Sequence, residues 1–145
     1  MELSRDAIAA LFARRQEAWD RHDAAALAAD HLANGRVESP LAGREVEGRD
    51  AIARLYSTYF HAFGDLKVVQ EDFLVDGNHV ALVGRLTGTD TGGFMGMAPS
   101  GRAVSVPIVF VYELRDGLIA RERRIYDFTG VLVQVGLIKA KPANA

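Results

Sequence analysis

Residues 66–89 read LKVVQEDFLVDGNHVALVGRLTGT, and this stretch decides the class of fold. It contains two runs rich in β-branched residues, Leu66–Asp76 and His79–Thr89, on either side of Asp76-Gly77-Asn78. An Asp-Gly turn between such runs is a signal for a β-hairpin. The stretch therefore predicts two antiparallel strands.

A second pair of runs rich in β-branched residues follows, again with an Asp-Gly turn between them. Arg102–Arg115 and Leu118–Asp127 are separated by Asp116-Gly117, which is again a hairpin signal. We expect this pair to be antiparallel as well.

The chain before residue 64 is predicted to be mainly helical. A first helix, with Ser4 as its N-cap, carries a stripe of residues at spacings of three and four: Ile8, Leu11, Phe12, Arg15, Ala18, Trp19 and His22. A short second helix is expected over Ala24–Leu32 and is ended by Gly35. The third helix lies between Gly48 and Gly64 and shows the clearest periodicity: Ile52, Leu55, Tyr56, Tyr59, Phe60 and Phe63.

Helices followed by strands, without alternation, predict an α+β fold in which helices cover one face of a curved antiparallel sheet. Two short strands, Arg36–Ser39 and Arg44–Val46, are expected between the second and third helices. The segment Gly130–Leu137 packs as a short helix or extends the sheet, and the polar tail from Lys139 is expected to fray. A length of 145 residues predicts one domain, 1–145, with its core over residues 4–138.

Composition excludes several classes of function. The chain has no cysteine, which removes disulfides, thiolate metal sites and a cysteine nucleophile. With 17 Lys+Arg against 19 Asp+Glu, the net charge of -2 argues against a nucleic-acid partner. The sequence shows neither a signal peptide nor a membrane-length apolar run, so we expect a cytoplasmic protein without a membrane partner.

Familiar motifs for metals and nucleotides are missing from the sequence. The four histidines lack the spacing of a helical zinc pair, so no metal site is expected. Gly96–Ala103 has the glycine spacing of a phosphate-binding loop, but Arg102-Ala103 replaces the Lys-Ser/Thr pair and a strand follows. Nucleotide binding is therefore not expected.

A glycine-rich segment, Gly84–Gly101, predicts a long and adaptable loop. Its apolar residues Phe94, Met95 and Met97 either form the mouth of a ligand pocket or cover the edge of the core. The aromatic residues of the helices have two similar interpretations, because they either pack as core or line a pocket between helices and sheet: Trp19, Tyr56, Tyr59, Phe60 and Phe63.

The last predicted strand is the most informative segment for chemistry. Alternation places Arg121, Arg123, Ile125 and Asp127 on one face, and Glu122, Arg124 and Tyr126 on the other. Asp127 ends an apolar run, which favours burial, and burial would raise the pKa of its carboxyl and suit it to acid–base catalysis. The alternative is a surface salt bridge to Arg123 or Arg124.

Several motifs together resemble the SnoaL-like polyketide cyclases, within the nuclear-transport-factor-2-like superfamily. The resemblance extends from about residue 4 to residue 138 and rests on a series of short motifs in a fixed order: Trp19…His22-Asp23, Glu38–Gly43, Gly48–Ile52, Thr87–Gly96, Arg121-Glu122…Tyr126-Asp127 and Leu132…Gln134…Gly136-Leu137.

The resemblance implies a cone-shaped α+β barrel with a curved mixed sheet wrapped by helices, a homodimer formed through the sheet, and a pocket without a cofactor. It also implies that Asp127 is the acid–base residue for an intramolecular aldol ring closure. His31, at the predicted end of the second helix, is a candidate partner for Asp127 from the opposite wall. Glu38 and Arg85 are candidate substrate-binding residues, although Glu38 has an alternative ion pair with Arg44 or Arg49.

Three functions follow as expectations. The first is a cyclase- or isomerase-type enzyme that acts on a small apolar carbonyl compound. The second is a binding module for a small hydrophobic molecule, without chemistry. The third is a dimeric interaction domain whose interior is filled by its own side chains.

Overall fold

A computed structural model describes residues 2–139 of the chain. The helices are α1 (Arg5–Asp20), α2 (Ala24–Ala29), α3 (Arg49–Ala62) and α4 (Phe128–Gln134). The strands are β1 (His31–Glu38), β2 (Val46–Glu47), β3 (Lys67–Asp76), β4 (His79–Thr89), β5 (Ala103–Arg115) and β6 (Leu118–Tyr126). A 3-10 turn, Pro40–Ala42, joins β1 to β2.

The strands form a curved, unclosed six-stranded sheet in the order β2-β1-β6-β5-β4-β3. Strands β1 and β6 run parallel, whereas the other neighbouring pairs are antiparallel. The register shifts in β3 after Gln70 and again between β5 and β6 near Glu113, and irregularities of this kind bend a sheet. The predicted α+β class with a mixed sheet is confirmed.

Both predicted hairpins are present. In the β3–β4 turn Gly77 has φ of 58°, and in the β5–β6 turn Asp116 and Gly117 have φ of 53° and 78°. Tight hairpin turns need these left-handed conformations, which glycine and aspartate tolerate.

The second helix is shorter than predicted. It ends at Ala29, and the chain enters β1 at His31, so Gly35 lies inside a strand and does not end a helix. A Cβ on Gly35 would lie 2.9 Å from the carbonyl oxygen of Leu32, which explains why a glycine is needed there. The Ala-rich composition favours a helix locally, but pairing of β1 with β6 decides the conformation.

The C-terminal segment forms helix α4, which is one of the two predicted possibilities. No helix within residues 2–139 has both the length and the apolar character needed to cross a bilayer. The tail predicted to fray lies mostly outside the described residues, because only Lys139 of residues 139–145 is described.

The core lies between the inner face of the sheet and helices α1 and α3. Trp19 of α1 contacts rings from both layers, with centroid distances of 5.2 Å to Tyr56, 5.6 Å to Phe60 and 5.6 Å to Phe110. Edge-on contacts of this kind are the favoured geometry for aromatic side chains. The helical aromatic stripe is therefore mainly core.

The glycine-rich loop is anchored by a buried carboxylate. Asp90 is 2% exposed and accepts hydrogen bonds from the backbone N–H groups of Gly93 and Ser100 and from the Ser100 hydroxyl, at 3.1, 3.0 and 2.7 Å. Phe94 is fully buried against Phe63, with centroids 5.3 Å apart. The loop is thus held against the core by the hydrogen bonds of Asp90 and by the packing of Phe94.

Candidate functional site: a buried charged network beside an aromatic cavity

Glu122 lies at the centre of a charged network inside the protein. It is fully buried on the inner face of β6, and its Oε2 accepts a hydrogen bond of 2.7 Å from Nε of Arg124. Its Oε1 accepts a hydrogen bond from the Tyr56 hydroxyl. The same oxygen lies 3.5 Å from Nη2 of Arg15 and 3.5 Å from Nε2 of His31.

Arg15 is the second cation of this network. Its Nη1 donates to the carbonyl oxygen of Leu27 and to Oδ2 of Asp30, both at 3.0 Å, and its Nη2 donates to the Tyr56 hydroxyl at 2.9 Å. Two guanidinium groups are therefore balanced by the carboxylates of Glu122 and Asp30. Buried charges are tolerated when they are paired and hydrogen-bonded in this way.

The network fixes the protonation of its members. Burial opposes ionisation of Glu122, but the charge of Arg124, together with His31 and Arg15, outweighs it and holds the pKa of this carboxyl well below its ordinary value. Burial and the nearby Glu122 carboxylate raise the pKa of the Tyr56 hydroxyl well above its usual range. Glu122 is thus a carboxylate and Tyr56 is a hydrogen-bond donor.

His31 is fully buried at the start of β1, beside this network. Its Nδ1 lies 3.0 Å from the carbonyl oxygen of Leu27, and since a carbonyl only accepts, Nδ1 carries a hydrogen. Its Nε2 has no hydrogen-bond partner among the described residues.

A small cavity adjoins Arg124. Its lining is mostly aromatic and aliphatic: Trp19, Tyr59, Leu86, Ile108, Phe110, Arg124 and Tyr126. The free volume is about 10 Å³, which is close to the smallest space that holds a water molecule. The guanidinium carbon of Arg124 lies 4.5 Å from the Tyr56 ring centroid, 5.4 Å from that of Tyr59 and 5.9 Å from that of Trp19.

Two tyrosine hydroxyls form a chain at the edge of this cavity. The Tyr59 hydroxyl lies 2.5 Å from that of Tyr126 and 2.9 Å from Oγ of Ser39. Tyr126 is partly exposed, whereas Tyr59 and Ser39 are buried. The chain therefore reaches from the interior towards the surface.

A surface depression lies on the outer side of Tyr126. It has a volume of about 510 Å³ and shares Arg124 and Tyr126 with the cavity. Its other lining residues come from the end of β1, the β1–β2 connection and β6: Glu38, Ser39, Pro40, Gly43, Arg44, Glu45, Arg123 and Ile125.

The structure brings some predicted substrate-binding residues to the cavity. Trp19 and Tyr59 line it, and Tyr56 lies beside it in the charged network. Phe60 and Phe63 are buried in the core but do not line this cavity.

Other predicted substrate-binding residues lie apart from it. Met95 and Met97 are exposed, at 51% and 55%, while Phe94 between α3 and α4 is core. Arg85 is exposed and donates to the Ser105 hydroxyl at 3.1 Å. Glu38 lines the depression, where it pairs with Arg123 at 2.8 Å.

Asp127 differs most from the expectation. It is exposed, and its Oδ1 accepts a hydrogen bond of 2.8 Å from the backbone N–H of Gly130, so it caps helix α4. The expected burial of Asp127 is wrong because the strand ends at Tyr126 and the next residue serves the helix. Within residues 2–139, no hydrogen bond or ion pair joins it to Arg123, Arg124 or His31.

The residues that sequence reasoning missed are Arg15, Glu122 and Arg124. A signal was available for each. Arg15 falls within the apolar stripe of α1, and Glu122 and Arg124 alternate with the exposed residues of β6, on the face that the structure places inside. Within residues 2–139 no group of three or more His, Asp or Glu side chains is placed to hold a metal ion.

The sequence model for SnoaL-like polyketide cyclases matches residues 9–135. A search of curated protein sequences finds no match.

Solved structures match over nearly the whole chain. AclR, a putative hydroxylase from Streptomyces galilaeus, is 26% identical with a TM-score of 0.82, and the match covers 96% of this chain and 87% of AclR. A putative SnoaL-like polyketide cyclase from Jannaschia sp. CCS1 is 25% identical with a TM-score of 0.76, covering 98% and 99% of the two chains.

A protein with a ketosteroid isomerase-like fold from Catenulispora acidiphila DSM 44928 is 20% identical. Its TM-score is 0.75, and the match covers 97% of this chain and 100% of that one. At this identity the likeness concerns the fold alone, which is of the nuclear-transport-factor-2-like type.

Proposed function

Since this chain belongs to the SnoaL-like polyketide cyclase family, we propose that it catalyses acid–base chemistry on a small apolar carbonyl compound, without a cofactor. The reaction is an intramolecular aldol ring closure or a related isomerisation. The observation that carries this proposal is the aromatic cavity whose lining includes the Arg124 guanidinium and the hydroxyls of Tyr59 and Tyr126. Apolar walls with a few polar groups suit a carbonyl ligand.

Asp127 is the proposed acid–base residue. Glu122 is a poor base, because its pKa is held low and its oxygens face Arg124, Tyr56 and Arg15. Asp127 is exposed, and its second oxygen, Oδ2, has no hydrogen-bond partner among the described residues. It directly follows Tyr126 in the chain, and the substrate is proposed to extend from the cavity past Tyr126 to this oxygen.

The proposed ring closure removes one proton from the substrate and later returns it. The Asp127 carboxylate accepts a proton from a carbon next to a carbonyl group, and the enolate carbon attacks a second carbonyl of the same molecule. The new alkoxide then takes the proton back from Asp127. Substrate and product are isomers, and the carboxylate is regenerated.

The test measures proton removal directly and does not require the natural substrate. Small apolar ketones and diketones are incubated with the protein in deuterated water, and the loss of α-proton signals is followed by NMR. We expect exchange with the wild type and at least about a 100-fold slower exchange with Asp127→Asn, since a general base contributes roughly that factor or more.

The matched control is Asp23→Asn. Asp23 caps α2 as Asp127 caps α4, accepting from the backbone N–H of Ala26 at 3.0 Å, and asparagine caps helices as well as aspartate. This control should exchange at the wild-type rate. Undiminished exchange in Asp127→Asn would exclude Asp127, and binding of the ketones without any exchange would favour the hydrophobic binding module.

The volume of the cavity favours a second candidate. At about 10 Å³, the interior is filled almost completely by its own side chains, as expected for an interaction domain. An apolar fluorescent dye separates the candidates. A dye that binds and is displaced by the ketones supports an interior that binds ligands, as the enzyme requires, whereas failure of dye and ketones alike to bind supports the interaction domain.

A further inference from the structure

The Arg124 guanidinium has an unused donor in the interior of the protein. The side chain is 2% exposed, and its Nε is bonded to Glu122. Its Nη2 is buried and has no hydrogen-bond partner among the described residues. Since an unpaired buried donor on a charged group is costly, this N–H is expected to meet an acceptor when the site is filled.

The charge around Arg124 favours an anionic acceptor. Glu122 is shared between Arg124 and Arg15, and His31 lies 3.5 Å from the same carboxylate. Asp30 is shared in turn between Arg15 and Arg14, at 3.0 Å from each. Each of the two carboxylates is therefore shared between two guanidinium groups, and with the exposed Arg14 included the network has three guanidinium groups for two carboxylates.

The walls select the shape of the ligand. Trp19 and Phe110 line the cavity with flat rings, and the Tyr59 and Tyr126 hydroxyls lie at its edge. Flat aromatic walls pack best against a planar group, and Tyr126, at the end of the hydroxyl chain, can donate its one hydrogen to a ligand oxygen when Ser39 and Tyr59 donate along the chain.

Two side chains border both the cavity and the surface depression. Tyr126 and Arg124 line both the cavity and the surface depression of about 510 Å³. Tyr126 is only partly buried and is held by the Tyr59 hydroxyl. Rotation of this side chain would join the two spaces, and the combined volume is in the range of ordinary ligand sites.

We propose that Arg124 binds the ionised oxygen of a planar enol or phenol, which enters past Tyr126. Where this rests on the proposed function, Arg124 holds the oxygen of the enolate that Asp127 generates, while the enolate carbon reacts. Arg124 is then a binding residue that contacts the substrate, and Glu122 positions it.

The test uses 4-nitrophenol at a pH where it is ionised and 4-nitroanisole, its neutral methyl ether. Affinities are measured by equilibrium dialysis. We expect the wild type to bind the phenolate at least about tenfold more tightly than the ether, as a hydrogen bond to a charged group allows.

Two variants examine Arg124. The double variant Glu122→Gln/Arg124→Gln removes both charges together, so neither is left unpaired, and it should lose the preference for phenolate while it still binds the ether. Arg124→Lys keeps a cation beside Glu122 and should keep part of the preference, which preserves the test if the double variant does not fold. Arg21→Gln removes an exposed charge and should bind like the wild type.

The outcomes separate this proposal from the proposed function. Equal affinity of the wild type for phenolate and ether, no binding of either, or a preference that survives in the double variant would overturn the role of Arg124. Phenolate binding that depends on Arg124, without α-proton exchange in any ketone, would overturn the enzymatic function and leave the anion site intact.

Discussion

At the residue scale, Glu122 holds the interior together electrostatically. Replacing it with glutamine leaves Arg15 and Arg124 without their shared carboxylate. Because an unpaired buried charge is expensive, we expect Glu122→Gln to lower the free energy of unfolding by about 3 kcal/mol. Urea denaturation measures the loss, and Glu71→Gln on the exposed side of β3 is the control with the same chemical change.

The stability difference between wild type and Glu122→Gln is expected to depend on pH. The pKa of Glu122 is lowered in the folded state from an ordinary 4.5, so its stabilising effect is present above that pH and is lost as the pH falls towards the lowered value. Glutamine does not titrate. The stability difference between wild type and Glu122→Gln should be constant above about pH 5 and should narrow below it. A difference that does not narrow in acid would contradict this account.

At the scale of elements, the glycine-rich loop is joined to the end of α3. The backbone N–H groups of Thr91 and Gly92 donate to the carbonyl oxygen of Ala62 at 3.1 and 3.0 Å. A Cβ on Gly92 would lie 1.8 Å from the carbonyl oxygen of His61, so an alanine there cannot be accommodated without moving the loop.

We therefore expect Gly92→Ala to lower the free energy of unfolding by about 1–3 kcal/mol, which is typical of overpacking in a protein core. The packing of Phe94 against the core should also loosen. Amide hydrogen exchange should increase at residues 91–94, and urea denaturation gives the free energy. Gly96→Asn is the control, because a Cβ there has no neighbour within 4 Å and asparagine tolerates its φ of 75°. Equal stability of the two variants would show that the short distance between residue 92 and the His61 carbonyl oxygen does not affect stability.

At the scale of the whole molecule, the outer face of the sheet carries an apolar row. Val83, Val109 and Ile125 are cross-strand neighbours on β4, β5 and β6, and Ile125 is 51% exposed. We propose that this face forms the homodimer implied by the family resemblance, since an apolar row of one exposed and two half-buried side chains favours association.

Ile125→Glu is accordingly expected to convert a dimer into a monomer at micromolar concentration. Analytical ultracentrifugation compares the mass with the 15.8 kDa of one chain. Met97→Glu, on an exposed loop residue outside the sheet, should leave the dimer unchanged. A wild type that sediments as a monomer would refute the proposal.

The sequence by itself determined the class of fold. Local signals predicted the two hairpins, because a tight turn depends on a few residues such as Asp116-Gly117 that tolerate positive φ. The periodicity of α3 predicted which face of this helix packs in the core, because a buried helix face requires apolar residues at spacings of three and four.

Only the tertiary structure decided the site. Arg15 and Glu122 lie 107 positions apart in the chain, and they meet because α1 packs over the inner face of the sheet, the face to which the Glu122 side chain points. Asp127 has the right residue type in the right motif, yet the end of β6 turns it to the surface as a helix cap. Pattern and propensity are local properties, whereas the partners of a buried charge depend on which distant elements pack together, and no local signal encodes that.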